Sequence, residues 1–165
     1  MIIRPETARD IAEIQTLVEI AFEDAPHSDG SEGAIVDALR AAGALTTSLV
    51  AERDGMIVGH VAFSPVEIDG KSIDWYGLGP VAVRPDQQRQ GVGVRLIEAG
   101  LDEIKALGAR GCVVLGDPAY YGRFGFSADA ALQFPGVPPE YFQRLVFGDD
   151  ARHGIVRYHS AFYGE

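Results

Sequence analysis

The residues Gln88-Arg89-Gln90-Gly91-Val92-Gly93 carry the most legible chemistry in the chain. They lie where an extended, β-branched run at 78–83 gives way to a helical pattern that opens at Gly91 and continues through Leu96, Ile97, Leu101, Ile104 and Leu107. A strand that delivers a glycine-bearing turn into a helix N-terminus gathers unpaired backbone N–H groups beside the positive end of the helix dipole, and such a place binds phosphate. Three phosphate motifs compete for it. A P-loop needs a lysine directly after its last glycine, and both lysines, Lys71 and Lys105, lie elsewhere. A dinucleotide fingerprint drawn from Gly77, Gly79 and Ala82 fails because Pro80, Val81 and Val83 continue a strand, and one drawn from Gly91-Val92-Gly93 meets Leu96 where a third small residue is required. What is left is a shorter cradle, Gln88-x-x-Gly91-x-Gly93, with N–H donors from Arg89 to Val94.

The bulk composition narrows the setting. A length of 165 residues with 47% hydrophobic and 23% charged residues fits one globular domain spanning residues 1–165. The net charge of −10 argues against nucleic acid as a partner, because neutralising a phosphate backbone takes a broad basic face. Against that background the turn is reversed in sign, with Arg84, Arg89 and Arg95 against Asp86. Cys112 is the one cysteine, so no internal disulfide forms, and it reads as a small core residue. The N-terminal residues lack an apolar leader, and no apolar run reaches the roughly 18 residues of a membrane span. A cytoplasmic protein with no membrane partner is expected, as a monomer or homodimer. His27, His60, His153 and His159 lack metal-ligand spacing, so no metal is expected.

The elements that position the turn follow from pattern. A short strand at 1–4 precedes a helix at 8–22, opened by a capping-box-like pair, Thr7 and Asp10. A polar loop at 23–30 leads to a second helix capped by Ser31, with Ile35, Val36 and Leu39 on one face. Strands at 45–52 and 56–64 are joined through Asp54-Gly55, and Asp69-Gly70 repeats the hairpin signal before a strand that runs from Ser72 to Val83. The helix at 91–107 then crosses to a buried strand at 112–115, parallel to the one before it. A brief helix at 119–124, an extended run at 126–133, a proline-rich loop at 134–139, a half-turn or strand at 140–147 and a final strand or strand pair at 153–162 complete the chain.

The motif at 88–93 is similar to the Q/R-x-x-G-x-G/A signature of the GNAT superfamily of N-acetyltransferases. Gly79-Pro80-Val81-Ala82-Val83-Arg84-Pro85 resembles that family's fourth strand, and residues 115–126, LGDPAYYGRFGF, are similar to a YhbS-like branch of it. The order of elements matches over nearly the whole chain. This resemblance implies the GNAT acyl-CoA N-acyltransferase fold of α/β (α+β) class: a mixed, mostly antiparallel sheet with flanking helices, splayed between the strands at 73–84 and 111–115. It further implies acetyl-CoA as cosubstrate and a primary amine, on a small molecule or a protein, as acceptor. The coenzyme's pyrophosphate would meet Gln88, Arg89, Gln90, Gly91, Val92, Gly93 and Val94, and the acyl and pantetheine arm would run along Val81, Ala82 and Val83. Arg84 is a further candidate for the phosphates.

The family's proton-donating tyrosine falls on Tyr121, in Y-x-x-x-G-F, with Tyr120 as the second choice for that role and a further cofactor contact. A phenol of ordinary pKa near 10 is protonated at neutral pH and can donate to a thiolate without tuning. One departure stands out. The family often places an Asn at the end of the preceding strand to bond the pantetheine, and here the nearest polar residue is Asp117. For the base, Asp74, Glu67 and Glu140 are candidates without a clear choice. Acceptor selection is expected in the loops at 23–30 and 134–142, whose Phe134, Tyr141 and Phe142 line a pocket or close the core.

Overall fold

Two Asp-Gly turns order the middle of the sheet. Asp54 and Gly55 (φ 53° and 77°), then Asp69 and Gly70 (φ 52° and 78°), take consecutive left-handed conformations, the geometry of two-residue hairpin loops. The computed structural model describes residues 1–26, 28–149 and 151–165. Within them β1 (Ile2–Pro5) is followed by a 3₁₀ turn, α1 (Ile11–Phe22) and α2 (Glu32–Ala41). The hairpin strands are β2 (Thr47–Arg53), β3 (Met56–Ile68) and β4 (Lys71–Val83), each antiparallel to the last. α3 (Val92–Ala106) leads to β5 (Gly111–Leu115), parallel to β4 as expected. α4 (Pro118–Tyr121), β6 (Leu132–Gln133), β7 (Phe142–Val146) and β8 (Gly154–Arg157) follow. The strand order is β1-β2-β3-β4-β5-β7, with β8 joining the end of β3 and pairing with β6.

The helices cover the sheet through apolar stripes at helical spacing. Val92, Leu96, Ile97, Leu101 and Ile104 of α3 are buried against Leu49, Val61, Phe63 and Leu78. α3 comes so close that a Cβ on Gly100 would sit 2.2 Å from the Phe63 ring. Ile14, Leu17 and Val18 of α1 pack with Val36 of α2 on Val50 and Ala82, whose side chains alternate to the opposite face. Each such aliphatic side chain contributes about 1.5–3 kcal/mol by leaving water, so the sheet is held in place from both sides. A third cluster, around Trp75, Phe142, Val156 and Tyr158, closes the end where β6 and β8 lie.

The sheet opens between β4 and β5. Their ladder holds only at Trp75–Gly111, Tyr76–Cys112 and Gly77–Val113, after which β5 stays with β7 while β4 continues along β3. The opening coincides with an irregularity in β4. Val61 pairs with Val81 but Phe63 pairs with Leu78, so three steps on β4 match two on β3 and the extra residue falls at Gly79-Pro80, a cis peptide with Gly79 at φ 137°. Gly77 has a different reason to be glycine, since a Cβ there would lie 2.5 Å from the Tyr158 ring.

Three expectations change, one of them at the C-terminal end, where the run expected as strand at 153–162 is strand only at Gly154–Arg157 and a 3₁₀ turn at Ser160–Tyr163. The run at 126–133 is a strand only at Leu132–Gln133, with one bridge from Ser127 to Arg144. Asp129 turns the chain there, taking the Ala131 N–H at 2.9 Å and the Arg144 guanidinium at 2.6 Å. The helix expected at 8–22 begins as a 3₁₀ turn at Ala8–Asp10, because the Asp10 carboxylate is drawn back to the Thr7 N–H (2.7 Å) and to Arg4 (2.7 Å).

Candidate active site

Two cavities meet at Val81, where β4 leaves β5. The main chain explains what they share. The Arg84 N–H donates to the Val58 carbonyl at 2.9 Å, and antiparallel ladders alternate every two residues. Ala82 therefore exchanges bonds with β3, and the N–H and C=O groups of Val81 and Val83 face the opening. The Val83 carbonyl accordingly accepts from the Gln88 side chain at 3.3 Å. Val81 and Val83 line the opening, whereas Ala82 is buried against α1 on the other face. Of the three strand residues expected at the acyl arm, Ala82 is turned away because its main-chain groups are committed to the ladder.

The first cavity, about 510 Å³, ends at the turn before α3. Gln88, Arg89, Gly91, Val92, Gly93 and Val94 all line it. Gln90 does not: its amide oxygen accepts from Arg53 at 2.8 Å, outside the cavity. Gly91 caps α3 at φ 81° with open space around its missing side chain, so its need for glycine is conformational. Gly93 is needed for room instead, since a Cβ there would stand 3.1 Å from the Tyr120 hydroxyl. Arg89 and Arg123 bring positive charge, and among the described residues no carboxylate lines this cavity. Arg123 is held over the Tyr120 ring, 4.5 Å from its centroid, with Nε donating to the Tyr120 carbonyl at 3.0 Å. Arg84 sits elsewhere, beside α1 and paired to Asp86 at 3.2 Å. An anion fits this end: N–H donors at a helix start, two guanidinium groups and a glycine floor.

The second cavity, about 420 Å³, lies against Pro80, Val81 and Leu115 and contains Tyr121. Tyr121 fits there because Gly116 has no side chain, a Cβ on which would be 2.3 Å from its ring. Edge contacts to Tyr120 and Phe126, with centroids at 5.0 and 6.1 Å, fix the ring. Burial, with a smaller contribution from Tyr120, pushes the Tyr121 phenol up to about 12, so it keeps its proton at any physiological pH. Burial also raises Tyr120. Asp117 lines neither cavity. Its Oδ1 caps α4, accepting the Ala119 N–H at 2.9 Å.

The carboxylates considered for a base lie outside both cavities. Asp74 faces Arg110 at 3.8 Å, Glu67 stands opposite Arg157 in the β3–β8 register, and Glu140 is exposed in a 3₁₀ turn. The one carboxylate lining the second cavity, among the described residues, is Glu32, at the start of α2. Of the expected acceptor loops, Phe134 lines the cavity, Phe142 stacks behind it at 5.3 Å and Tyr141 is exposed. The loop at 23–30 contributes through its flanks, Phe22 and Glu32, and His27 lies outside the described residues. Cys112 is buried, which pushes its thiol up and removes it from nucleophilic chemistry. Arg123 and Glu32 were missed by sequence reasoning. Arg123 could have been found from its place three residues after Tyr120, one turn along a short helix, while Glu32 looks like an ordinary acidic first-turn residue.

Comparison with known proteins adds an independent line. Residues 2–128 match the family model described as an acetyltransferase (GNAT) domain. The chain is 39% identical, over 98% of both chains, to the Escherichia coli K12 protein named Uncharacterized N-acetyltransferase YhbS. Among solved structures, a GNAT family acetyltransferase from Brucella melitensis in complex with acetyl-CoA superposes with a TM-score of 0.88 at 53% identity, covering 98% of this chain and 97% of that one. E. coli YhbS in complex with CoA gives a TM-score of 0.90 at 37% identity, over 98% and 91%.

Proposed function

Since this chain belongs to the GNAT acetyltransferase family, in its YhbS-like branch, we propose that it transfers acetyl from acetyl-CoA to a primary amine by direct attack in a ternary complex. One observation carries the reading: at the bulge of β4 the sheet opens, and the main-chain groups of Val81 and Val83 face a gap that joins an anion-binding cavity to one holding Tyr121. Relatives solved with acetyl-CoA and with CoA support the same assignment. Residues 1–165 would act as one catalytic domain, in the cytoplasm, where the single thiol stays reduced.

Each part of the site has a task in that reaction. The bound acetyl-CoA supplies an activated acyl carbon and a thiolate leaving group. N–H groups at 89–94, with Arg89 and Arg123, hold the pyrophosphate, and the open edge at Val81 and Val83 aligns the pantetheine arm. A main-chain N–H at that edge donates to the thioester carbonyl, favouring the charge that develops on its oxygen. The second cavity brings the amine against Val81. The acceptor's ammonium first gives one proton to water to become a free amine. As the N–C bond then forms and the C–S bond breaks, the nitrogen gives a second proton to water and Tyr121 delivers one to sulfur, regaining it from solvent.

The test is release of free thiol from acetyl-CoA with a panel of primary amines. Thiol release that depends on the amine, with the N-acetyl product found by mass, is expected. Acetyl-CoA bound without turnover by any amine would instead favour a CoA-binding sensor.

A further inference from the structure

The second cavity carries information about the acceptor that the acetyl chemistry does not. Among the described residues its lining includes the rings of Phe22, Phe134, Tyr158, Phe162 and Tyr163 besides Tyr121, and a single charged side chain, Glu32. No arginine, lysine or histidine is among those residues. The rings are braced by one another. Phe134 meets Tyr158 edge-on at 5.3 Å, Tyr158 meets Phe162 at 5.1 Å, and Phe142 backs Phe134. The Tyr163 hydroxyl accepts the Tyr158 N–H at 3.2 Å, tying the C-terminal turn to this wall. The wall is therefore preformed rather than assembled around each ligand, which lowers the entropy cost of binding.

Resting on the acetyl-transfer reading above, we propose that the acceptor is a compact aralkylamine: a primary ammonium on a short aliphatic chain that bears an aromatic ring. The cavity of about 420 Å³ lies in the range of sites for small molecules. Ring faces and edges favour an aromatic body, and they also attract a cation. Glu32 supplies the counter-charge. One of its oxygens accepts from the Ser28 hydroxyl at 2.6 Å, which fixes the carboxylate and leaves its other lone pairs for an incoming ammonium. The half-buried position strengthens that pair relative to open water. An acidic amine meets Glu32 as a like charge. A lysine side chain brings polar peptide groups against rings that offer them few partners, and leaving such groups unpaired costs binding.

The experiment compares kcat/KM for 2-phenylethylamine, Nα-acetyl-lysine amide and aspartate as acceptors, by thiol release with the unaltered protein. The aralkylamine should exceed the other two by at least about tenfold, the discrimination an apolar pocket can supply. Glu32→Gln should raise KM for 2-phenylethylamine about tenfold while leaving KM for acetyl-CoA and the melting temperature in place, and Glu32→Asp should recover part of the loss. Equal or better use of the lysine derivative, or an unchanged KM in Glu32→Gln, overturns the acceptor assignment alone. Absence of turnover with all three amines likewise overturns the acceptor assignment, and only absence of turnover across the whole amine panel, with acetyl-CoA still bound, overturns the transfer reading as well.

Discussion

Tyr120 and Tyr121, adjacent in the chain, face different cavities: their rings stand 5.0 Å apart at 84°, with Tyr120 over Gly93 at the phosphate end and Tyr121 in the second cavity, against Gly116. A short helix turns successive side chains by about 100°, so the pair straddles the line along which a thioester would lie. In the proposed reaction this arrangement would separate holding the coenzyme from protonating its sulfur.

Tyr121→Phe should lower kcat by about 10²-fold or more, the range for a lost general acid, with the Kd of acetyl-CoA changed less than about twofold. Tyr120→Phe should do the reverse, raising KM for acetyl-CoA several-fold while kcat falls less than about threefold. Steady-state kinetics with calorimetric titration separates the two. Equal effects of the two variants on kcat would remove the division of roles.

The pH profile follows from the sign of the Tyr121 shift. An acid must carry its proton to work, and a phenol pushed up to about 12 keeps it through alkaline solution. The log of kcat should rise as the amine loses its proton and then stay level to about pH 11, with no descending limb from Tyr121 below that. A limb falling through pH 9–10 in the native protein and absent from Tyr121→Phe would show an ordinary phenol.

The two glycines of the turn should fail differently. Gly91→Ala places a Cβ at φ 81° and should destabilise the protein by about 1 kcal/mol. Gly93→Ala should leave stability nearer the native value but weaken CoA binding about tenfold, because its Cβ crowds the Tyr120 hydroxyl and narrows the cavity. Chemical denaturation and CoA titration report the two quantities separately.

A polar chain away from the site should set acid stability. Arg40 pairs with Glu6 at 2.8 Å, Glu6 accepts from Ser48, and Ser48 meets the Nε2 of His60 at 2.8 Å. Burial lowers His60 to about 4 from 6.5, Arg40 adding to this and Glu6 opposing it. The folded state keeps His60 neutral while the unfolded chain protonates it, so stability is full above pH 6.5 and declines as the pH falls towards 4, by up to about 3 kcal/mol. One imidazole should show no NMR titration above pH 5 while unfolding free energy drops across that window; a His60 signal titrating near 6.5 would contradict this.

Much of the fold is legible because its signals are local. Asp54-Gly55 and Asp69-Gly70 announce hairpins through backbone chemistry, and the stripe from Val92 to Ile104 announces a buried helix face. The run at 126–133 misleads because its apolar residues are interrupted by a turn that depends on Arg144, distant in sequence. At the site, Gly91, Gly93 and Tyr121 are legible as a spacing pattern. Asp117 lies outside both cavities, at the cap of α4, which its spacing alone does not reveal. Ala82 is misplaced because a strand motif does not say which residues turn their N–H groups to a ladder. Glu32 enters only through the tertiary packing of α2 beside Tyr158 and Phe162, which no local pattern encodes.

If the opening between β4 and β5 aligns a thioester with Tyr121, a crystal structure of this protein with acetyl-CoA will show the coenzyme lying along it. The expected result has the pyrophosphate on the N–H groups of 89–94, the thioester carbonyl about 3 Å from the N–H of Val81 or Val83, and the Tyr121 hydroxyl within about 4 Å of the sulfur. Coenzyme bound away from the opening, or a sulfur out of reach of Tyr121, would contradict it.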